Sequence, residues 1–152
     1  MRITTKGRYA LKALANLAAT SDGSPKPVHA IAEEEEISPE FLEQLFFRLK
    51  KAGILTSVRG PGGGFTIAKK YSDINLKEIF LAVDEGLDLT PCTVCTGLTD
   101  EEPCHRMDDC IVTSVWQDAS DHILGYFESI TLQSVLDENQ DRVARLRRRQ
   151  AT

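Results

Sequence analysis

Apolar residues recur at threes and fours through Tyr9–Ala18, with Leu11, Leu14, Leu17 and Ala18 on one face, and that period predicts a helix. The run Ser21-Asp22-Gly23-Ser24-Pro25-Lys26-Pro27 breaks it with loop residues. Pro27 then opens a short helix, Val28–Glu35, whose inward positions are Val28, Ile31 and Ala32; the run Glu33–Glu36 reads as its solvated face. Ser38 suits an N-cap and Pro39 the first helical position. That helix continues through Phe41–Lys51 to a stop at Gly53, a residue that tolerates the left-handed conformation after a helix. Its apolar stripe is Leu42, Leu45, Phe46 and Leu49, with Glu40, Glu43, Gln44, Arg48 and Lys51 on the other side.

The pattern then turns strand-like. Ile54–Val58 and Phe65–Ala68 are rich in β-branched residues and flank Arg59-Gly60-Pro61-Gly62-Gly63-Gly64, which reads as a hairpin. After Arg59 no side chain longer than proline occurs for five residues. Such a bare turn can press its backbone against another surface, and the arginine at its lip makes a basic finger. Two helices joined by a tight turn, followed by this hairpin, predict a winged helix-turn-helix. The start of the second helix, Glu40 to Gln44, would face the major groove, and the wing would reach the backbone and minor groove through Arg59.

Asn75 and Glu78 have capping-box spacing and predict a helix through Ile79, Phe80 and Val83. Periodicity disappears between Asp84 and Asp109. From Cys110 it resumes, with Val112, Val115, Trp116, Ala119, Ile123, Tyr126, Phe127 and Ile130 at helical spacing, over roughly 30 Å of helix. One small domain cannot cover that much apolar face, so dimerisation is the favoured reading and folding back on its own domain the alternative. The expected fold is mainly α with a small β wing. Its parts are a DNA-binding domain at 1–85, a cysteine-rich loop at 86–109, a dimerisation helix with a short return helix at 110–138, and a basic disordered tail at 139–152.

The net charge of −5 hides an asymmetry. Residues 1–70 hold 11 Lys/Arg against 7 Asp/Glu, residues 71–141 hold 2 against 16, and residues 142–152 hold five arginines and no acid. A basic first half fits DNA binding despite the acidic average. The N-terminus has no apolar signal segment and no stretch is long enough to span a bilayer, so a cytoplasmic location without membrane association is expected.

In that reducing compartment cysteines are more often ligands or sensors than disulfides. Cys92, Cys95, Cys104 and Cys110 follow the spacing C-x2-C-x8-C-x5-C, with His105 among them. Thiolates are the natural ligands of iron–sulfur clusters, which is the favoured reading. Structural zinc is the alternative, although its usual paired C-x2-C knuckles are not matched by the wide second pair. A metal-free thiol switch is a third possibility. A C-x2-C oxidoreductase is remote, because the βαβ pattern it expects is missing.

Several of these motifs resemble one family. The opening Arg2-Ile3-Thr4-Thr5-Lys6-Gly7-Arg8-Tyr9-Ala10, the run Phe41–Phe46, the wing Ser57–Phe65, Ala82-Val83-Asp84-Glu85 and the helix Trp116–Ile130 are similar to the IscR-like (Rrf-type) regulators. The resemblance spans about residues 1–136. It implies a homodimeric winged-helix repressor that binds a double-stranded DNA operator, holds an iron–sulfur cluster on its loop and represses cluster-assembly genes. It further implies Glu43 and Gln44 as base readers, Arg59 as minor-groove finger, and Ser38 with the backbone of Gly60, Pro61, Gly62 and Gly63 as phosphate contacts. Arg2, Thr4, Lys6, Glu40, Phe41 and Arg48 complete the expected DNA-facing set. The ligand set departs from the family pattern. Three cysteines and one other ligand are usual there, whereas Thr113 stands where a histidine ligand is expected and Arg8 where related nitric-oxide sensors have an acid. An all-cysteine site of open nuclearity follows, with nitric oxide, iron, redox stress or cysteine supply as alternative signals.

Overall fold

The computed structural model describes residues 3–93 and 102–152. In chain order they form α1 (Thr5–Thr20), α2 (Val28–Glu35), α3 (Pro39–Lys51), β1 (Leu55–Val58), β2 (Gly64–Ile67), α4 (Leu76–Ala82), α5 (Thr113–Ser129), α6 (Leu132–Asp137) and α7 (Gln140–Gln150), with single 3-10 turns at Tyr71–Asp73 and Pro91–Thr93. The fold is mainly helical with one two-stranded antiparallel sheet.

Helix α1 is the centre of the fold. Its buried face is mostly small, with Ala10, Ala13, Leu14 and Leu17 fully enclosed, and small residues let α2, α3, α4, α6 and α7 all pack against it. Helix α3 inserts the expected stripe, Leu42, Leu45, Phe46 and Leu49, into that core, each worth about 1.5–3 kcal/mol for its burial. Ser38 caps the helix as its spacing predicts, its hydroxyl accepting from the Phe41 amide at 3.4 Å, with Pro39 in the first turn. The turn before it is closed by Glu36 in the left-handed region at φ 56°. The Ile37 amide then reaches back to the Ala32 carbonyl at 2.9 Å and buries the Ile37 side chain.

The wing pairs Leu55 with Ile67 and Val58 with Gly64, so the hairpin falls where the strand-like runs placed it. Strand β2 gains a further partner near the turn: Lys26 and Phe65 exchange backbone hydrogen bonds at 3.0 and 2.9 Å. The segment before α2 therefore acts as a one-residue third strand. A Cβ on Gly63 would lie 2.3 Å from the Val58 carbonyl oxygen, so this tight turn admits no side chain there.

Two expectations need correction. The run Glu33–Glu36 is not simply a solvated face. Glu34 accepts from Asn16 at 3.0 Å and Lys26 at 2.7 Å, and Glu35 accepts from Asn16 at 2.6 Å and pairs with Lys12. The buried Asn16 amide explains this, since it needs acceptors inside the fold.

The tail at 139–152 is not a disordered segment: residues 140–150 form α7. Half-buried Val143 and Leu146 face the fold, and the Arg147 Nε donates to the Ala19 carbonyl at 2.6 Å. That carbonyl belongs to the last turn of α1, whose acceptors have no partner within their own helix.

The apolar stripe of α5 divides into two. Phe127 meets Phe80 of α4 edge-to-face at 5.2 Å, and Leu124 joins the same core. Val115, Trp116 and Tyr126 remain 57%, 42% and 60% exposed. Folding back and presenting an apolar face therefore coexist on one helix.

Candidate nucleic-acid interface and cysteine loop

The exposed side of α3 presents Glu40, Glu43, Gln44, Phe47 and Lys51. Helical spacing puts residues three and four apart on one surface, which is why the polar positions and Phe47 converge. The Ser38 hydroxyl, besides capping α3, donates to Glu40 Oε2 at 2.8 Å. The Glu40 amide and the Ser38 hydroxyl hold the Glu40 carboxyl below its ordinary range, so this end of the helix carries a fixed negative charge. Glu43 and Gln44 stand exposed, one turn further along.

Phe47 escaped the sequence reading because it belongs neither to the buried stripe nor to the charged positions. It is 61% exposed, with the Lys51 ammonium 5.9 Å from its ring centroid. A large aromatic left open beside Gln44 was legible from helical angle alone. Phe41, by contrast, is half-buried and packs edge-to-face on Tyr9 at 6.1 Å.

The wing tip is bare. Gly60 and Gly62 adopt φ of 94° and 73°, and Gly63 N donates to the Gly60 carbonyl at 2.9 Å. Arg59, Gly60, Pro61 and Gly62 are exposed. The Arg59 guanidinium makes no hydrogen bond or ion pair with the described residues, so its donors point at solvent.

Other basic and polar positions are committed within the chain. Glu85 is buried, 1% exposed, and reaches across the fold to the start of α1. Its Oε1 accepts from the Thr4 amide at 3.0 Å; its Oε2 accepts from the Thr4 hydroxyl at 2.6 Å and the Gly7 amide at 2.7 Å. A helix N-terminus leaves amides unpaired and carries a partial positive charge, and this carboxylate answers both. A Cβ on residue 7 would sit 2.7 Å from Glu85 Oε2. Asp84, left-handed at φ 54°, turns the chain so that Glu85 points inward. Its carboxylate pairs with Arg48 and its carbonyl accepts from Lys6 at 2.8 Å. Thr4, Lys6 and Arg48 therefore hold α1 and α3 to the end of α4 rather than standing free for phosphates. Arg2 lies outside the described residues.

Three of the four cysteines are described, Cys92, Cys104 and Cys110, all unpaired and half-buried; Cys95 lies outside the described residues. The Cys104 amide donates to the Pro91 carbonyl at 3.2 Å, which ties the far side of the loop to the turn carrying Cys92. That turn packs on α5. Cys110 precedes α5, where the Val112 amide, the Thr113 hydroxyl and the nearby Arg106 lower its thiol pKa despite some desolvation. A thiolate-favouring site at a helix start suits a soft-metal ligand. Among the described residues no three His, Cys, Asp or Glu side chains converge on one metal position. The donor chemistry fits an iron–sulfur or zinc centre, while its assembly depends on the intervening loop. His105 is exposed.

The chain matches the Rrf2 family, described as iron-dependent transcriptional regulators, over residues 3–138, and it belongs to that family. It is 41% identical over 140 residues to the HTH-type transcriptional regulator IscR of Photorhabdus laumondii, covering 92% of this chain and 82% of that protein. Among solved structures it is similar to IscR of T. potens, with 29% identity, a TM-score of 0.71, and coverage of 91% of this chain and 88% of the other. It is also similar to CymR, the global cysteine regulator of B. subtilis, with 28% identity, a TM-score of 0.71, and coverage of 91% and 98%. These relatives are transcriptional regulators rather than enzymes, and the oxidoreductase alternative falls with that. Among the described residues no helix is long and apolar enough to cross a membrane.

Proposed function

We propose that this chain is a DNA-binding transcriptional regulator, a homodimeric repressor of iron–sulfur cluster assembly genes. In this reading its hold on a double-stranded operator is set by a cluster on Cys92, Cys95, Cys104 and Cys110. The observation that carries the reading is the pairing of an open, polar α3 face with the unpartnered Arg59 of a bare wing. Glu43 and Gln44 read base edges; a glutamate accepts from cytosine N4 and repels phosphate, so it discriminates more than it attracts. Arg59 neutralises backbone charge, which makes affinity fall as salt rises. Phe47 adds apolar contact suited to a thymine methyl. The exposed Val115, Trp116 and Tyr126 of α5 form the dimer face.

A bound cluster supplies iron–thiolate bonds that respond to redox conditions. Holding it requires the Cys92 turn and the start of α5 to take one fixed spacing. Helix α5 also packs through Phe127 on Phe80 of α4, and the end of α4 supplies Asp84 and Glu85 to α3 and α1. Loop and reading helix thus share one packed path. A ligand shifts such an equilibrium only by its differential affinity for the two states. The likeness to CymR favours cysteine supply as the second signal to consider.

Anaerobic purification with iron and acid-labile sulfide analysis tests the cofactor, followed by binding of holo and apo protein to duplexes selected from a random pool. Brown protein carrying both elements, with unequal holo and apo affinities, is expected. Zinc or no metal overturns cluster sensing, equal affinities overturn the switch, and absence of any selected duplex overturns the regulator.

A further inference from the structure

We infer that α7 carries a second DNA-contacting surface, an arginine stripe that grips phosphates beside the operator; this rests on the DNA-binding reading above. Five arginines fall in the eleven residues of α7, and they divide by function. Arg147, although exposed over much of its surface, donates from its Nε to the Ala19 carbonyl. Arg142, Arg145, Arg148 and Arg149 are exposed, and their guanidiniums make no hydrogen bond or ion pair with the described residues. At 100° per residue these four fall within one third of the helix circumference, their centre about 130° round the helix from that of Val143, Leu146 and Gln150.

Dipole compensation accounts for only part of this. Basic residues near a helix C-terminus contribute about 0.3–1 kcal/mol, and Arg147 to Arg149 already occupy the last turn. Acidic groups lie close by, since Arg142 and Arg145 share a shallow cleft with Asp137, Glu138 and Asp141 and Arg149 lines one with Glu34, yet none of the four guanidiniums closes an ion pair with a described residue. Planar guanidinium forks left open suit phosphate oxygens. From Arg142 to Arg149 the stripe runs roughly 10 Å, about the axial rise of three phosphates on one strand.

Its position adds direction. Gln150 donates to Glu34 Oε2 at 2.8 Å, and the same carboxylate oxygen accepts from Lys26 at 2.7 Å. The Lys26 backbone in turn pairs with Phe65 of the wing. One carboxylate therefore fastens the C-terminal end of the stripe to the first helix of the helix-turn-helix and, through Lys26, to β2 of the wing. The stripe extends the wing's backbone contact onto flanking DNA without reading sequence.

The test compares the full chain with a variant changing Arg142, Arg145, Arg148 and Arg149 to Gln, a good helix former, and a second variant changing them to Lys. Circular dichroism and melting check that α7 and the fold survive. Binding is followed against salt on a 40-base-pair random duplex and on a duplex selected from a random pool. The Gln variant should lose roughly 10- to 100-fold in affinity at low salt and shed about 2–4 from the log–log salt slope, at about 0.9 per phosphate. The Lys variant should recover the slope, and the selected sequence should stay the same. An unchanged slope in the Gln variant overturns the inference. So does loss of binding to phosphatidylserine vesicles with DNA binding intact, which would make the stripe a lipid surface. Wild-type protein that binds neither duplex would instead sink the regulator reading itself.

Discussion

The DNA-reading half and the cysteine loop treat their polar groups in opposite ways. In the reading half, polar groups are paired across long sequence distances: buried Glu85 with Thr4 and Gly7, exposed Asp84 with Arg48, and buried Asn16 with Glu34 and Glu35. What remains exposed there, Glu43, Gln44, Phe47 and Arg59, stands on a finished scaffold. In the loop, the described thiols are half-buried and do not converge, and among the described residues a backbone bond from Cys104 to Pro91 links its sides. The lesson is a division of labour. A surface that reads DNA must be preorganised by its own core, whereas a surface that senses a ligand must leave part of its assembly energy for the ligand to supply.

The sharpest way to break this contrast is at Glu85. Glu85→Ala strands the buried Gly7 amide and removes the acceptor of the Thr4 amide and hydroxyl, and an unpaired buried donor costs about 1–3 kcal/mol. Stability should fall by about 2–4 kcal/mol, seen as a melting point lower by on the order of 10 °C, with Glu85→Gln recovering part of the loss. An unchanged melt would mean that α1 does not depend on its distant cap.

Next come the two exposed reading groups, which should change DNA binding without changing the melt. Arg59→Ala should weaken selected and random duplexes alike, by about tenfold. Glu43→Ala should instead erode discrimination at one base pair, by up to about 1–3 kcal/mol. Equal losses on both duplexes from both variants would refute that split.

On the loop side, Cys104→Ala should abolish iron and sulfide retention while shifting the melt of the metal-free protein by less than about 0.5 kcal/mol, the range of surface changes. A large destabilisation of metal-free protein would show that the loop is structural after all.

The smallest effect is expected in acid. Burial raises the Glu34 pKa, but hydrogen bonds from Lys26, Asn16 and Gln150 outweigh it and hold the carboxyl below the ordinary 4.5. Because the folded value is depressed, this contribution is present above that pH and is lost as pH falls through and below it. Lys26→Met should flatten the acid limb of a stability–pH profile slightly; an identical limb would remove Glu34 from the account.

Much of this protein was determined by local pattern. The helix boundaries around Ser38 and Gly53, the stripe Leu42–Leu45–Phe46–Leu49 and the wing hairpin follow from period, capping and turn chemistry, which act over a few residues and are written in adjacent letters. The exposed reading face followed from the same spacing, except Phe47, whose hydrophobicity hid its outward angle. Tertiary structure alone decided the rest. That Glu85 caps α1, that Lys26 joins the wing, that Asp84 occupies Arg48 and Lys6, and that an arginine-rich tail becomes a docked helix all depend on partners distant in sequence. A charged residue carries no local mark of whether it will meet water or an orphaned amide. Only the packed chain brings that amide within reach, and the cost of leaving it unpaired in the interior then selects the partner.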